Sequence, residues 1–277
     1  MPELISEQLV QNRAKKPSYV NDPHINQAQD AGILEVVRDT TFISKVQLGY
    51  ICKKRGIAKT RQTLKWRLDR LLRAELIAIL PVAAFPFQRP VYSITRAGLK
   101  VLEEFGRGLD SITSDSEHLA SFKQANHFLS LNEIMFQFDR CFKIHTYMCD
   151  RVLRSYNMTL ASPLAKDYDA FVTIDRSALG KDTLTLAVEY EATLKSGERY
   201  RDISAALNQE RQVRLVVYFC GSMGTANLLA TKLTSRTCHV CLGSYTDFRR
   251  DGAETKMLFR QQQETHLITL GKLIEVA

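Results

Sequence analysis

The chain has 277 residues, of which 45% are hydrophobic and 25% are charged. Such a chain can bury a normal core, is expected to form two domains, and is too apolar to be disordered over most of its length. Its formal net charge of +8 favours a polyanionic partner. Because no apolar run has the length of a signal peptide or a membrane span, we expect a cytoplasmic protein with no membrane partner. No small-molecule substrate is expected.

The amino-terminal part of the sequence predicts a flexible arm and two short helices. Residues 1–28 are polar, contain three prolines and lack periodicity. A helical pattern begins at Asp30 and ends near Thr40. Ser44 is the predicted N-cap of the second helix, and Gly56 ends that helix.

A third helix, over residues 59–73, carries the strongest signal for a binding surface. Thr60 is a good N-cap, and leucines recur at helical spacing to form an apolar stripe. Cations and amides collect on the opposite face, where they suit phosphates and base edges of DNA. Residues 45–73 hold ten Lys or Arg against one acid, Asp69, so the basic character is concentrated here. The alternative interpretation is a solvated basic helix face.

Two strands after this helix complete a recognisable DNA-binding pattern. Residues 76–80 and 89–94 read as strands joined by a proline-bounded loop, and Thr95 caps a helix that follows them. Together they predict a winged helix-turn-helix domain over residues 29–106. The candidate DNA-binding residues are Lys59, Arg61, Gln62, Thr63, Lys65, Trp66, Arg70 and, on the wing, Arg89.

Residues 107–142 are predicted to form a linker and a long helix. The linker is rich in Gly, Ser and Asp, and the helix over 117–142 carries a broad apolar stripe. Such a stripe must be buried, either against the second domain or against the same helix of another subunit. A homodimer is therefore expected, in keeping with the frequent two-fold symmetry of DNA sites.

The remaining residues, 143–277, predict an α/β domain with a mixed sheet flanked by helices, which makes the whole chain an α+β protein. Strands are expected near 151–160, 168–175, 183–190, 213–219 and 237–243, with helices near 197–208 and 224–234. The six cysteines are expected to be reduced. Cys238-His-Val-Cys241 has the spacing of half a zinc site but lacks a second pair, so buried thiols are favoured.

Three acids fall where strand ends would bring them together. Asp169 opens one predicted strand, while Glu189 and Glu191 lie two residues apart on the next strand and so share a face. Carboxylates on adjacent strands can bind Mg²⁺, and Lys195 lies downstream where it could steady a phosphate or a water. Alternating carboxylates are also ordinary solvent-facing residues.

The order of these parts resembles the replication-relaxation family of plasmid and mobile-element proteins. The resemblance rests on Tyr92-Ser-Ile-Thr95 with Gly98, on Tyr168-Asp169-Ala170, and on Val188-Glu189-Tyr190-Glu191-Ala192-Thr193 with Lys195, Arg199 and Tyr200, between about Asp30 and Leu242. It implies sequence-specific binding to double-stranded DNA in replication or transcription control. It also implies a second domain similar to the PD-(D/E)XK restriction-endonuclease fold.

The sequence departs from the nuclease pattern at two positions. Tyr168 stands where the motif has Pro, which is tolerable because that Pro only shapes the entrance of the strand. Glu191 stands where active nucleases usually carry Lys, so the charge that would activate water or stabilise the transition state is missing from its usual place. We therefore expect a DNA-binding protein with a degenerate nuclease-like domain and no cofactor. The alternative is a Mg²⁺-dependent endonuclease that uses Asp169, Glu189 and Glu191 as metal ligands and Lys195 as the cationic helper. A third interpretation makes the second domain a protein-interaction module.

Overall fold

The computed structural model describes residues 25–80, 90–109, 122–160, 163–261 and 264–277. The chain is a mixed α+β protein with a small three-stranded sheet and a seven-stranded mixed sheet. Residues 1–24 of the expected arm, Arg89, the loop before it and most of the predicted linker lie outside the described residues. Within the described part of the chain, no helix is both long enough and apolar enough to cross a membrane.

Residues 25–109 form the N-terminal unit. Its helices are α1 (Asp30–Asp39), α2 (Lys45–Lys54), α3 (Arg61–Arg73) and α4 (Arg96–Glu104), and its strands are β1 (Ile43–Ser44), β2 (Ile77–Ile79) and β3 (Val91–Ile94). The strands pair antiparallel in the order β1-β3-β2. Ile25 is buried and the Asn26 amide donates to Asp30, so the last residues of the predicted arm belong to this unit.

Side-chain caps fix where three of these helices begin, as predicted. Ser44 and Gln47 form a reciprocal capping box at α2. The Thr60 hydroxyl accepts from the Thr63 amide at α3, and the Thr95 hydroxyl accepts from the Gly98 amide at α4. Each cap satisfies an amide that would otherwise lack a helical partner.

The core of the N-terminal unit holds α3 by its leucines. Leu64, Leu68 and Leu71 are buried among apolar residues of α1 and α2. Gly98 of α4 lies so close to the strand that a Cβ atom there would be 2.2 Å from the Leu76 carbonyl oxygen. The small sheet and α4 therefore pack backbone against backbone behind α3.

Residues 122–277 form the C-terminal unit. Its helices are α5 (Phe122–Cys141), α6 (Asp150–Thr159), α7 (Gly197–Gln209), α8 (Met223–Lys232), α9 (Tyr245–Asp251) and α10 (Leu270–Val276). Its strands are β4 (Ile144–Cys149), β5 (Ala170–Ile174), β6 (Leu184–Glu191), β7 (Leu215–Cys220), β8 (His239–Ser244), β9 (Lys256–Gln261) and β10 (Glu264–Thr269). They are ordered β10-β9-β8-β7-β6-β5-β4, with parallel pairing between β6, β7 and β8 and antiparallel pairing elsewhere.

The sheet is covered on both faces. One hydrophobic cluster joins it to α5, α9 and α10, and a second cluster joins its other face to α6, α7 and α8. All six residues of β7 are buried, as expected for the strand in the middle of a sheet that is covered on both faces. Cys238 and Cys241 belong to different clusters, on opposite faces of the sheet, so the CxxC spacing does not make a chelating pair.

The prediction of a strand at residues 151–160 is wrong. This segment is α6, held by the buried Leu153 and by an ion pair between Asp150 and Arg154 one turn apart. Tyr156 and Met158, which would share one face of a strand, are exposed on the helix. The edge strand of the sheet is instead β4, immediately before α6.

Helix α5 joins the two units. Phe136 belongs to the core of the N-terminal unit, whereas Ile134 and Phe138 belong to a core of the C-terminal unit. Asp139 of α5 accepts a hydrogen bond from the Tyr50 hydroxyl and pairs with Lys54. The apolar side chains of α5 that the structure describes are thus buried or partly buried within the chain, so they give no argument for a homodimer. The dimer itself stays a prediction.

Candidate functional sites

The first candidate site, called the outward face of α3 here, consists of Lys59, which lies just before the N-cap Thr60, and of the helical residues Arg61, Gln62, Thr63, Lys65 and Trp66. All of these side chains are exposed except Thr63, which is partly buried beside its capping partner Thr60. Trp66 is 54% exposed although it is a large apolar side chain. The face therefore offers cations, an amide and an indole to solvent, while the leucines of the same helix hold it in the core.

Arg70 does not belong to that face in the way the sequence predicted. Arg70 and Arg67 both turn inward to Asp30 at the start of α1, whose side chain is completely buried. Arg67 Nη1 donates to Asp30 Oδ1 at 2.8 Å, and Arg70 Nη2 pairs with the other carboxylate oxygen. The sequence did not predict this contact, because helical periodicity shows which residues share a face but not what the neighbouring helix places against them. Arg70 also lies 4.6 Å from the centre of the Trp66 ring, where it supports the indole by a cation–π contact.

The second candidate site, called the carboxylate cluster here, consists of Asp169, Glu189 and Glu191 with His127, Lys166 and Lys195. In the β5–β6 register Ala170 lies opposite Val188, so Asp169 and Glu189 fall at the same end of neighbouring strands. Asp169 Oδ2 accepts from the Tyr190 amide at 2.8 Å. Glu189 and Glu191 alternate with Val188 and Tyr190 and therefore face the side of the sheet covered by α7 and α8. The structure brings the acids to one sheet end, as the sequence predicted.

Each acid of the carboxylate cluster has its own cationic or hydrogen-bonding partner. His127 Nε2 lies 3.3 Å from Asp169 Oδ1, and Lys195 Nζ lies 2.8 Å from Glu191 Oε2. Lys166 Nζ pairs with Glu189 Oε1. Tyr200, which is buried on α7, positions Lys195 because its hydroxyl oxygen accepts from the Lys195 amide at 2.9 Å.

Burial and these partners shift the pKa values in opposite directions. Burial raises the pKa of Glu189 to about 7, although the Lys166 charge opposes this shift. Burial would also raise the pKa of Asp169, but the hydrogen bond and charge of His127 outweigh it and lower that pKa. The same contact raises the pKa of His127 against the effect of burial. Burial therefore favours the protonated form of Glu189, whereas the contact with His127 favours the ionised form of Asp169.

The cluster does not fit the predicted Mg²⁺ site. Among the residues that the structure describes, no three His, Cys, Asp or Glu side chains are grouped so that they could hold a metal ion. Asp169, Glu189 and Glu191 lie at the same end of the sheet, but a carboxylate oxygen of each is paired with a different side chain. A hard divalent cation needs several oxygens converging on one point, which this arrangement does not provide.

Sequence reasoning gave His127 and Lys166 no firm place in this site. His127 lies on α5, more than 40 residues before Asp169, so no local motif connects the two residues. Lys166 stands three residues before Asp169, and its basic side chain beside a predicted strand entrance was the only signal. Comparisons with protein-family models, with curated proteins and with solved structures found no match to this chain.

Proposed function

We propose that this chain binds double-stranded DNA in a sequence-specific manner and that the outward face of α3 enters the major groove. One observation carries the proposal: Gln62 and Lys65 are exposed together on a helix that buried leucines fix in place, and the exposed Lys59 lies just before the N-cap of that helix. Lysines neutralise phosphates, whereas a Gln amide can pair bidentately with adenine. A single exposed helix face thus combines affinity for the DNA backbone with a group that discriminates between bases.

The elements around α3 support a winged helix as the scaffold of this face. Helices α1, α2 and α3 are followed by the antiparallel β2 and β3, and β1 adds a third strand. In a winged helix the third helix enters the groove and the loop between the two strands contacts the backbone. Arg89 falls between β2 and β3 in the sequence, outside the described residues, and its contact with the DNA backbone or minor groove is part of the proposal.

The side chains of α3 and the preceding Lys59 would have different roles in DNA binding. Lys59, Arg61 and Lys65 would contact phosphates, and Gln62 with Thr63 would contact base edges. Arg70 would act as a positioning residue, because its guanidinium is already engaged by Asp30 and lies against the Trp66 ring. Trp66 would then present a supported apolar surface to the duplex.

The C-terminal unit is proposed to be a degenerate restriction-endonuclease-like domain that clamps or assembles the complex without cutting DNA. Its antiparallel β4, β5 and β6, then α7 and the parallel β7, follow an order compatible with that fold. The separate partners of the three carboxylates argue against catalysis by this domain. The host process, replication or transcription control of a mobile element, follows the family resemblance.

The DNA-binding proposal is tested by fluorescence anisotropy with a labelled 30-base-pair duplex of random sequence over a series of salt concentrations. We expect Lys59→Ala/Lys65→Ala to weaken binding and to reduce the log–log salt slope by about 2, since each phosphate contact contributes about 0.9. Arg201→Ala/Arg214→Ala is the matched control, because it removes two exposed cations from the C-terminal unit. Equal loss in both double variants would overturn the assignment to α3.

Selection of bound fragments from random DNA tests the claim of specificity. If the chain reads sequence, successive rounds should converge on a defined site. Persistently random fragments, bound with a steep salt dependence, would reduce the N-terminal unit to a non-specific DNA tether and would favour a protein-interaction role for the second unit.

A further inference from the structure

We propose that the cavity between α2, α5 and β4 binds a small aromatic carboxylate, with the rings inside the cavity and the anionic group at its mouth. This site is separate from the carboxylate cluster, and the proposal does not rest on DNA binding by α3. It gives the chain a small-molecule ligand that the sequence did not predict, at a place where the N-terminal unit meets the C-terminal unit.

The cavity has the size of a small ligand, with a volume of about 280 Å³. Because a cavity of about 150 Å³ accommodates benzene, this volume suits a group of two fused rings. The walls come from α2 of the N-terminal unit, from α5, and from the edge strand β4 of the C-terminal unit. Small-molecule sites often form at such junctions between units.

Most of the wall is apolar or aromatic, as is usual for small-molecule sites. The Tyr50 and Phe136 rings lie side by side, with centroids 4.5 Å apart and planes inclined by 48°. The Tyr50 hydroxyl donates to Asp139 Oδ2 at 2.6 Å, which fixes the ring in this position. Aromatic rings and a thioether sulfur make favourable contacts with a flat apolar group. The apolar and aromatic residues of the lining are Tyr50, Ile51, Met135, Phe136, Ile144 and Tyr147.

The charged side chains around the cavity favour an anion. Lys54 pairs with Asp139, so these two charges compensate each other. Arg55, which directly follows α2, also lines the cavity; it is exposed and forms no ion pair within the described part of the chain. A guanidinium can form two parallel, charge-assisted hydrogen bonds with a carboxylate. An anionic group at the mouth of the cavity would therefore supply the partner that Arg55 lacks.

A β-bulge brings further polar groups to the same cavity. In the β4–β5 register, Ile144 lies opposite Ile174 and Thr146 lies opposite Thr173. His145 is therefore an extra residue in β4 that has no opposite residue in β5. Bulges re-aim side chains and are frequent beside functional sites. His145 and Thr146 are both exposed and line the cavity, where an imidazole N–H and a hydroxyl can donate to a bound carboxylate.

The test is calorimetric titration of the purified full chain with 2-naphthoate and with its neutral amide, 2-naphthamide. Wild type should bind one equivalent of 2-naphthoate saturably, and it should bind 2-naphthamide at least five-fold more weakly, because charge-assisted hydrogen bonds are stronger than neutral ones. Arg55→Ala should remove this preference by weakening the binding of the anion alone. Lys53→Ala is the matched control, since it removes an exposed cation of α2 that is not among the residues lining the cavity.

A second pair of variants tests the position of the rings. Thr146→Trp adds an indole to the wall of the cavity from an exposed strand position, so it should abolish the binding of both probes. Thr265→Trp is the matched control, because Thr265 is exposed on β10 and is not among the lining residues. If Thr146→Trp does not show the wild-type circular dichroism spectrum, Thr146→Phe takes its place.

Each of four results would overturn the proposal. They are the absence of saturable 2-naphthoate binding to wild type up to millimolar concentration, equal affinity for the two probes, equal effects of Arg55→Ala and Lys53→Ala, and undiminished binding by the folded Thr146 variant. None of them bears on the affinity of α3 for DNA, so the two proposals fail independently.

Discussion

The outward face of α3 and the carboxylate cluster are both rich in ionisable side chains, but they use them differently. The cations Lys59, just before α3, and Lys65, on α3, are exposed at the start of a helix whose other side is buried. In the cluster, Lys166 is enclosed and paired with an acid of the same chain. The comparison teaches that burial and pairing, and not residue type, decide whether a charge is available to a partner.

Helix α3 itself carries both exposed cations and cations that are buried and paired with an acid. Its first turns carry exposed cations, whereas Arg67 and Arg70, in the middle and in the last turn, are paired with the buried Asp30. The inward pair anchors the helix to α1, and the outward cations are free to meet a polyanion. A basic helix can thus be divided into a structural half and a binding half by one acid on a neighbouring helix.

The largest expected effect comes from breaking the anchor. Asp30→Ala leaves two guanidinium groups in a buried place without their carboxylate, and losing one partner of a buried pair destabilises a protein by about 3–5 kcal/mol. Urea unfolding followed by the fluorescence of Trp66, the single tryptophan, measures this in the N-terminal unit. Asp69→Ala removes an exposed acid of the same helix and should change stability by less than about 0.5 kcal/mol. If Asp30→Ala and Asp69→Ala changed the unfolding free energy by similar amounts, the role of Asp30 in holding α3 against α1 would be refuted.

The next effect is a pH dependence of stability, which is expected from the buried Glu189 of the carboxylate cluster and not from the exposed side chains of α3. It amounts to a few kcal/mol of unfolding free energy, on the order of 1.4 kcal/mol for each unit of pKa shift. The pKa of Glu189 is raised to about 7 from 4.5, so the folded protein keeps a proton that the unfolded chain releases. Stability contributed by this group is therefore present at low pH and is lost as the pH rises from about 4.5 to about 7. The difference in unfolding free energy between wild type and Glu189→Gln should fall over this window and level off above it. A difference that rises with pH would show that the pKa is lowered instead.

A smaller effect tests the scaffold behind α3. Gly98→Ala places a methyl group against the Leu76 carbonyl oxygen, and overpacking of this kind costs about 1–3 kcal/mol. The matched control is Gly197→Ala in the first turn of α7, where a Cβ atom meets nothing within 4 Å. Thermal unfolding of the two variants should therefore differ in midpoint, with only Gly98→Ala lowered. If both variants retained the wild-type midpoint, the close packing of α4 on the small sheet would be refuted.

The smallest expected effect separates base contacts from backbone contacts. Gln62→Ala should relax the preference at one base pair by about 1 kcal/mol while leaving the salt slope nearly unchanged. Lys65→Ala should weaken binding to all sequences alike and reduce the slope by about 1. Competition between selected and random duplexes measures both quantities. The opposite pattern, with Lys65 setting the preference, would reverse the assignment.

Local signals in the sequence predicted much of the fold. The caps Ser44, Thr60 and Thr95 were predictable because each satisfies amides within its own first turn. The buried β7 was predictable because an uninterrupted apolar run has few alternatives. Helix α6 was not, since the alternation of Tyr156 and Met158 imitates a strand and the ion pair that favours the helix is weak.

The sites were predictable only in part, for a related reason. Exposure of Gln62 and Lys65 follows from helical periodicity, which a sequence contains. The pairing of Arg70 with Asp30, and of His127 with Asp169, depends on how distant elements pack together. No spacing within the chain encodes those contacts, and they are the ones that decide which charges remain available.

Acrylamide quenching of Trp66 fluorescence tests the central claim most directly, because the single tryptophan of the chain stands 54% exposed on the proposed binding face. In the free protein the indole should be readily quenched. At saturating duplex DNA we predict that the quenching constant falls at least two-fold and returns to its free value when high salt dissociates the complex. An unchanged quenching constant with DNA fully bound would contradict the account, since the duplex would then lie elsewhere on the molecule.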